Sequence, residues 1–243
     1  MLNYVVEPAI LSPLVPAGTE LDLWQGHAYV SLVGFLFANT RVLGLSIPWH
    51  RTFEEVNLRF YVRRQVDDDV RRAVTFVREI VPRTAIAVTA RLAYNEPYRA
   101  VPMRHAFGEI RQDGIPSRIE YAWRVANRWA TLAVKPIGDG RLADAGSQEA
   151  FITEHFWGYT RQRDGSTVEY QVTHPSWRVW AVELPELRGE FTELYGSTFA
   201  RILGRPPASA FLADGSPVAV HRPARLDLTG TTPTRQVSSR VHR

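Results

Sequence analysis

Hydrophobic and polar residues alternate with a period of two along much of the chain, which is the pattern of β-strands with two different faces. The segment FEEVNLRFYVRR, residues 53–64, shows this alternation clearly. One face is mostly apolar and carries, after Glu54, the residues Val56, Leu58, Phe60 and Val62. The other face carries Glu55, Asn57, Arg59, Tyr61 and Arg63. Such a polar face either contacts bulk water, which is the commoner case, or lines a polar cavity, and alternation alone does not decide between the two.

Comparable apolar and alternating patterns predict a series of further strands. They cover residues 27–37, 71–80, 119–125 and 167–184, the last as two strands joined at His174-Pro175. Turn-forming residues separate strands at 67–69, 112–114 and 163–165. Links this short favour antiparallel neighbours.

Helical patterns are fewer. Residues 147–161 begin with Ser147 as a candidate N-cap and place large apolar side chains on one stripe. Residues 83–94 and 190–203 are further helix candidates. Many strands with little β-α-β alternation predict an α+β fold that is rich in β-structure. We expect a curved antiparallel sheet that closes into a barrel, with a few helices packed on it.

The composition is that of one globular domain with a polar tail. The chain has 243 residues, of which 45% are hydrophobic, enough for a single core in a domain at residues 1–223. Residues 224–243 lack aromatic side chains and predict a disordered basic tail. From Arg222 onward the chain holds five arginines and one acid, which accounts for the whole formal net charge of +4. The remaining chain is neutral in sum, so we expect no nucleic-acid partner.

The residue types present disfavour several classes of site. No cysteine occurs, so disulfides and thiolate chemistry are excluded. The histidines show no metal-ligand spacing, and the chain has no phosphate-binding glycine loop, so we expect neither a metal nor a cofactor. The N-terminal segment lacks a basic region, and no apolar run reaches the length of a membrane span. These features predict a cytoplasmic protein without a membrane partner.

The chain has one lysine, Lys135. Catalysis through a Schiff base on a lysine could use no other side chain. Lys135 lies between Val134 and Pro136, just before glycines that predict a turn. This context predicts a strand end with the ammonium group in water.

Six segments of the chain resemble an uncharacterised family. They are LVPAGTELDLWQGHAYVSLVGFLF, FEEVNLRFYVRR, VREIVP, YNEPYRAVPMRH, ITEHFWGY and VTHPSWRVW. In order and spacing they are similar to the YqjF-like family, a domain of unknown function, from Asn3 to Val220. That family is grouped with the acetoacetate-decarboxylase-like superfamily. The resemblance therefore implies a conical antiparallel β-barrel with an internal pocket and a few helices.

The resemblance also implies where the polar face of residues 53–64 points. In the decarboxylases a strand with a comparable acid lines the cavity, so Glu55, Asn57 and Arg59 are expected to face the interior. Decarboxylases of this type use a pair of lysines after a proline, and one ammonium group lowers the pKa of the other. The corresponding stretch here is Pro97-Tyr98-Arg99, which contains no amine. This departure argues against Schiff-base decarboxylation.

Two functions remain open, and a protein-interaction scaffold ranks third. The first is a protein that binds a carboxylate or aromatic metabolite in the barrel pocket. The second is a lyase or hydrolase that uses general acid-base chemistry, with Glu55 and Tyr98 as catalytic candidates. The candidate ligand-binding residues are Asn57, Arg59, Tyr61, Arg99 and His105. A homo-oligomer is compatible with each of these functions.

Members of the YqjF-like family usually carry an additional aromatic-containing segment before the residues that resemble Leu2-Asn3-Tyr4. We therefore expect either a start upstream of Met1 or a barrel edge that is less covered. The intact mass of the protein made from its native gene distinguishes these two cases.

Overall fold

The structure is a computed structural model that describes residues 1–38, 41–42, 45–46, 52–84 and 95–226. Its strands are β1 Leu2–Val6, β2 Glu20–Leu21, β3 Ala28–Phe37, β4 Arg41–Val42, β5 Leu45–Ser46, β6 Phe53–Val66, β7 Asp69–Val81, β8 Tyr98–Ala100, β9 Met103–Phe107, β10 Ile119–Val125, β11 Arg128–Leu142, β12 Trp157–Arg161, β13 Thr167–Thr173, β14 Arg178–Arg188, β15 Ser209–Ala213, β16 Ala219–Val220 and β17 Ala224–Arg225. Its helices are α1 Pro8–Leu11, α2 Gln148–Thr153 and α3 Thr192–Leu203, with a 3-10 turn at Ser12–Leu14. None of the described helices is long and apolar enough to cross a membrane.

Fifteen of these strands form one sheet. The hydrogen-bonded order is β16-β13-β12-β7-β6-β3-β1-β15-β14-β11-β10-β9, with β17 on β13, β2 on β6 and β8 on β7. Most neighbours are antiparallel, but β7 pairs in parallel with both β12 and β8. The short strands β4 and β5 pair only with each other. The fold is therefore a β-rich α+β fold with a mixed, curved sheet and few helices.

The sheet does not close into the expected barrel, and the prediction of a purely antiparallel sheet is also wrong. The chain passes from β8 to β9 through Val101-Pro102. Val101 N–H donates to Val81 O of β7, whereas Pro102 O accepts from Arg124 N of β10. Because proline has no N–H, this crossing cannot continue a ladder. β8 therefore stays on β7 while β9 pairs with β10, and no described ladder joins the two ends of the sheet.

Most of the predicted strands are confirmed, because β3, β6, β7, β10, β13 and β14 cover the predicted segments. The helix predicted at 147–161 is only partly right. Ser147 caps α2 as expected and accepts a hydrogen bond from Ala150 N at 3.2 Å. However, α2 ends at Thr153, and the later residues form β12. The helix predicted at 190–203 is confirmed as α3, and residues 85–94 of the remaining candidate lie outside the described chain.

Apolar side chains pack on both faces of β6. On one face Val56, Leu58, Phe60 and Val62 are fully buried in a core that includes residues of β1, β3, β10, β11 and α3. Burying an aliphatic or phenyl side chain of this size contributes about 1.5–3 kcal/mol. On the other face Tyr61 packs edge-on against Phe151 of α2, with ring centroids 5.1 Å apart. The polar face of β6 is thus covered at Tyr61 and Glu55, whereas Arg63 near the other end is exposed.

The chain remains in the fold beyond the predicted end of the domain at residue 223. Ala224–Arg225 form β17, which pairs with β13. Leu226 then packs in the main core, with 8% of its surface exposed. Three residues assigned to the tail therefore belong to the folded domain. The rest of the predicted tail, residues 227–243, lies outside the described chain.

Candidate functional site

Strand register brings polar residues from three strands into one row. Asn57 of β6 lies opposite Glu79 of β7, and Glu79 lies opposite Tyr98 of β8. Residues directly opposite each other in a sheet point to the same side, so these three side chains share one face. Glu55, two residues before Asn57 on β6, lies on this face as well.

Three carboxyl groups are buried together at this row. Glu55 and Glu79 are each 2% exposed, and Glu96, just before β8, is 5% exposed. We call Glu55, Glu79 and Glu96 the carboxyl cluster. Asn57 beside them is also 2% exposed. At this end of β6, the polar face therefore points into the protein rather than into bulk water.

Glu55 accepts a hydrogen bond on each of its carboxyl oxygens. Asn57 Nδ2 donates to Oε1 at 3.1 Å, and the Tyr98 hydroxyl donates to Oε2 at 3.0 Å. Burial raises the pKa of Glu55 to about 7, because removal from water disfavours the charged form. The two hydrogen bonds and the charge of Arg59 oppose this rise, and the charge of Glu96 adds to it.

Glu96 is held by three hydrogen-bond donors. The Thr160 and Tyr170 hydroxyls donate to its Oε1 at 2.7 Å each, and the Glu79 carboxyl forms the third hydrogen bond. Burial raises the pKa of Glu96, and these three bonds oppose the rise. The pKa of Glu79 lies well above its usual value, first through burial and then through the charges of Glu96 and Glu55. The Glu79 carboxyl thus shares a hydrogen bond with Glu96, beside Glu55, whose pKa burial raises to about 7.

A glycine makes room for one of these donors. Gly158 of β12 lies opposite Tyr170 of β13. A Cβ atom at Gly158 would lie 2.2 Å from Tyr170 Cζ, so the phenol ring crosses directly over the glycine. A larger residue at this position would displace the Tyr170 hydroxyl from Glu96.

Two buried polar atoms of this site have no hydrogen-bond partner within the described structure. They are Asn57 Oδ1 and Glu79 Oε2. A buried acceptor without a donor costs about 1–3 kcal/mol, and native proteins retain few such atoms. These two atoms therefore mark a place where the protein by itself leaves hydrogen bonding incomplete.

Glu55, Asn57 and Tyr98 thus come together, whereas the predicted residues Arg59 and Tyr61 contact other groups. Arg59 Nη2 donates to a backbone carbonyl of α2 at 3.1 Å, although its charge still reaches Glu55. The Tyr61 hydroxyl lies 2.6 Å from Oγ of a fully buried serine on β3. Arg59 therefore borders the carboxyl cluster, and Tyr61 belongs to a separate hydrogen-bond network.

The structure does not bring Arg99 and His105 to the carboxyl cluster. The Arg99 guanidinium forms an ion pair with Glu193 of α3. His105 Nδ1 lies 2.7 Å from Oε1 of Glu54, which is on the opposite face of β6 from Glu55. Both side chains are more than 30% exposed, at 38% and 34%.

Sequence reasoning missed four residues of this site: Glu79, Glu96, Thr160 and Tyr170. The two acids lie in VREIVP and YNEPYRAVPMRH, which are among the segments that carry the family resemblance. That location was the available signal. The two hydroxyl residues have no comparable signal, because only the pairing of β12 with β7 and β13 brings them to the site.

A second buried polar group lies just after α2. His155 Nε2 lies 3.0 Å from Asp22 Oδ2, and Arg72 Nε donates to the same oxygen at 2.8 Å. Burial lowers the pKa of His155 to about 4, so the imidazole is neutral at physiological pH. Its ring packs against Tyr61 and Phe151. The group ties the end of α2 to the sheet.

The lysine and the surface depressions lie away from the carboxyl cluster, and no metal site is found within the described chain. Lys135 is exposed on β11, opposite Glu183 of β14. No set of three His, Cys, Asp or Glu residues within the described ranges is arranged to hold a metal ion. Two surface depressions, one beside Arg63 and one beside His174, include no residue of the carboxyl cluster.

The chain is similar to known proteins over most of its length. The uncharacterized protein YqjF of Bacillus subtilis (strain 168) is 26% identical over 200 residues, which cover 81% of this chain and 78% of that protein. The enduracididine biosynthesis enzyme MppR, with HEPES buffer bound, has a TM-score of 0.58 at 13% identity, covering 93% of this chain and 84% of that one. An acetoacetate decarboxylase-like enzyme from Sphingomonas wittichii RW1 has a TM-score of 0.57 at 15% identity, covering 93% and 89%. Similarity at this level of identity shows an acetoacetate decarboxylase-like fold and nothing more.

A family model places the chain more directly. The model of DUF2071, described as an uncharacterized conserved protein, matches residues 1–217. This match includes all the residues of the carboxyl cluster. The chain therefore belongs to the DUF2071 family of uncharacterized conserved proteins.

Proposed function

We propose that the protein binds a small molecule at the carboxyl cluster without forming a Schiff base. The observation behind this proposal is the pair of buried acceptors without donors, Asn57 Oδ1 and Glu79 Oε2. Gathering acids in a protein interior destabilises the fold, because each carboxyl group loses water and like charges repel. A ligand that completes the missing hydrogen bonds gives this arrangement a function that stability alone does not.

The positions of the amines support binding without covalent attachment. The chain's only lysine, Lys135, is exposed on β11, and the stretch that corresponds to the decarboxylase lysines places the Tyr98 hydroxyl against Glu55 instead. In one solved structure the enzyme MppR, which is similar in fold, is complexed with pyruvate. We transfer to this chain only the notion that the fold accommodates a small molecule.

One observation favours a second function, which is general acid-base catalysis by a lyase or hydrolase. The pKa of Glu55 is raised to about 7, and a carboxyl group with such a pKa both accepts and releases protons at physiological pH. Burial first of all raises the pKa of Tyr98, so the phenol stays protonated and can hold the Glu55 carboxyl in place. In this function Glu55 transfers the proton, and Tyr98 holds the Glu55 carboxyl group in position.

Native mass spectrometry of the freshly purified full chain tests the proposal. We expect a small molecule to co-purify with the wild-type protein and with Glu54→Gln, and to be lost from Glu55→Gln. Glu54 is the matched control, because it is the same residue type on the same strand but contacts His105 on the opposite face. A wild-type protein without ligand, or equal retention in both variants, would show that the cluster is not the binding site.

The same samples distinguish binding from catalysis. The recovered molecule is incubated with the wild-type protein and with Glu55→Gln. Chemical conversion by the wild type that is lost in the variant supports the enzyme. Release of the unchanged molecule from the wild type supports the binding protein.

A further inference from the structure

We infer that the ligand of the carboxyl cluster presents a cationic nitrogen group, such as an ammonium, amidinium or guanidinium group, rather than a carboxylate. This inference rests on the proposed function, because it names the ligand class of the same site. It departs from the carboxylate or aromatic metabolite that the sequence led us to expect.

The open hydrogen-bonding positions on the carboxyl cluster and on Asn57 are acceptors. The donors beside Glu55 are already used, because the Tyr98 hydroxyl and Asn57 Nδ2 both donate to its carboxyl oxygens. When Glu55 is ionised, the Asn57 amide points its NH2 group at the carboxylate, which leaves its Oδ1 as the free atom. Glu79 Oε2 is the second free atom. A ligand that satisfies both atoms has to bring donors, and a carboxylate brings only acceptors.

The charges near the site lead to the same ligand class. Three acids are buried together here, and among the described residues Arg59 is a cation whose charge reaches Glu55. The Arg59 Nη2 donates to the Ile152 carbonyl. Arg99, a predicted ligand for a carboxylate, instead pairs with Glu193 on α3. A cationic ligand would offset buried negative charge, whereas a carboxylate would add to it. Arg59 Nε also lacks a partner and is the donor that a carboxylate would use, so the test includes both ligand classes.

Binding of a cation at the cluster is linked to the release of a proton. Burial raises the pKa of Glu55 to about 7, and a cation beside Glu55 lowers that pKa again by favouring the ionised form. The affinity for a cation should therefore increase about tenfold from pH 6 to pH 8, where Glu55 is already ionised before the ligand arrives. A carboxylate should instead bind more tightly at pH 6.

Acetamidinium and acetate are suitable probes, because they are planar, nearly identical in shape and opposite in charge. Isothermal titration calorimetry on the full chain measures both probes at pH 6 and pH 8. We expect acetamidinium to bind the wild type and Glu54→Gln about tenfold more tightly at pH 8 than at pH 6. We expect at least a tenfold loss of affinity in Glu55→Gln. Asn57→Ala, which removes the unpartnered Oδ1, should weaken binding in the same direction, and circular dichroism verifies that each variant folds.

The outcomes separate the ligand class from the binding site. Tighter binding of acetate than of acetamidinium, lost in Glu55→Gln, would overturn the ligand class and leave the proposed function standing. Acetamidinium binding that is unchanged in both Glu55→Gln and Asn57→Ala would overturn the ligand class and the site together. If neither probe binds, the inference of a cation falls, and the co-purification experiment with Glu55→Gln decides the proposed function.

Discussion

Replacing Glu55 by glutamine should remove a large part of the pH dependence of the protein's stability. Burial raises the pKa of Glu55 from an ordinary value of 4.5 to about 7. Between these two values the folded state binds more protons than the unfolded state, so the free energy of unfolding falls as the pH rises. From pH 5 to pH 8, the loss that Glu55 alone causes is about 2.5 kcal/mol.

The glutamine side chain can be accommodated at this position without a new unpaired group. The Tyr98 hydroxyl can accept a hydrogen bond from its NH2 group. Its amide oxygen can accept from Asn57 Nδ2, as the Glu55 carboxylate does. We therefore expect Glu55→Gln to lie within about 1 kcal/mol of the wild type at pH 5 and to exceed it by about 2.5 kcal/mol at pH 8.

Urea unfolding at pH 5, 6, 7 and 8 measures this difference. Glu54→Gln is the control, because Glu54 precedes Glu55 on β6 but pairs with His105 outside the carboxyl cluster. Its curve of stability against pH should follow that of the wild type. A parallel loss of stability in the wild type and Glu55→Gln between pH 5 and pH 8 would refute the assignment of a raised pKa to Glu55.

Three further substitutions test other parts of the structure. Gly158→Ala should lower stability by about 1–3 kcal/mol in thermal unfolding, because the new methyl group overlaps the Tyr170 ring; an unchanged midpoint would contradict the described packing. Asp22→Asn should cost about 1–3 kcal/mol in urea unfolding, because the buried His155 loses its charged acceptor; a smaller effect would show that the contact is not structural. The wild type and Lys135→Gln are treated with borohydride in the presence of pyruvate. Intact mass should show no covalent adduct in either protein. An adduct confined to the wild type would contradict binding without a Schiff base.

The alternation along β6 could be predicted from the sequence. The side of the sheet on which Glu79 of β7 lies could not. Up to Phe76, even-numbered residues of β7 lie opposite the odd-numbered residues of β6, as in the pair Phe76 and Arg59. The register then shifts, and Glu79 instead of Arg78 lies on the face of Asn57. A β-bulge of this kind forms in the pairing of two strands, and strict alternation read from one strand does not contain it.

The predictions of a helix at 147–161 and of a closed barrel were wrong for a related reason. The apolar stripe that predicts a helix at 147–161 also fits α2 followed by β12, and the pairing of Trp157 and Gly158 with β7 decides for the strand. A barrel requires its two edge strands to pair, and within the described chain no ladder joins β16 at one end of the sheet to β9 at the other. Both outcomes depend on contacts between residues that are far apart in the chain, where local propensity has little influence.

The sequence by itself determined the two faces of β6, most of the strands, the absence of a lysine beside Tyr98 and the membership of the family. Only the tertiary structure decided what the polar face of β6 contacts. Of the groups that change the pKa of Glu55, Tyr98 comes from β8 and Glu96 from the connection before β8. A pKa set by burial depends on which distant segments exclude water from the carboxyl group, and alternation within one strand contains no record of them.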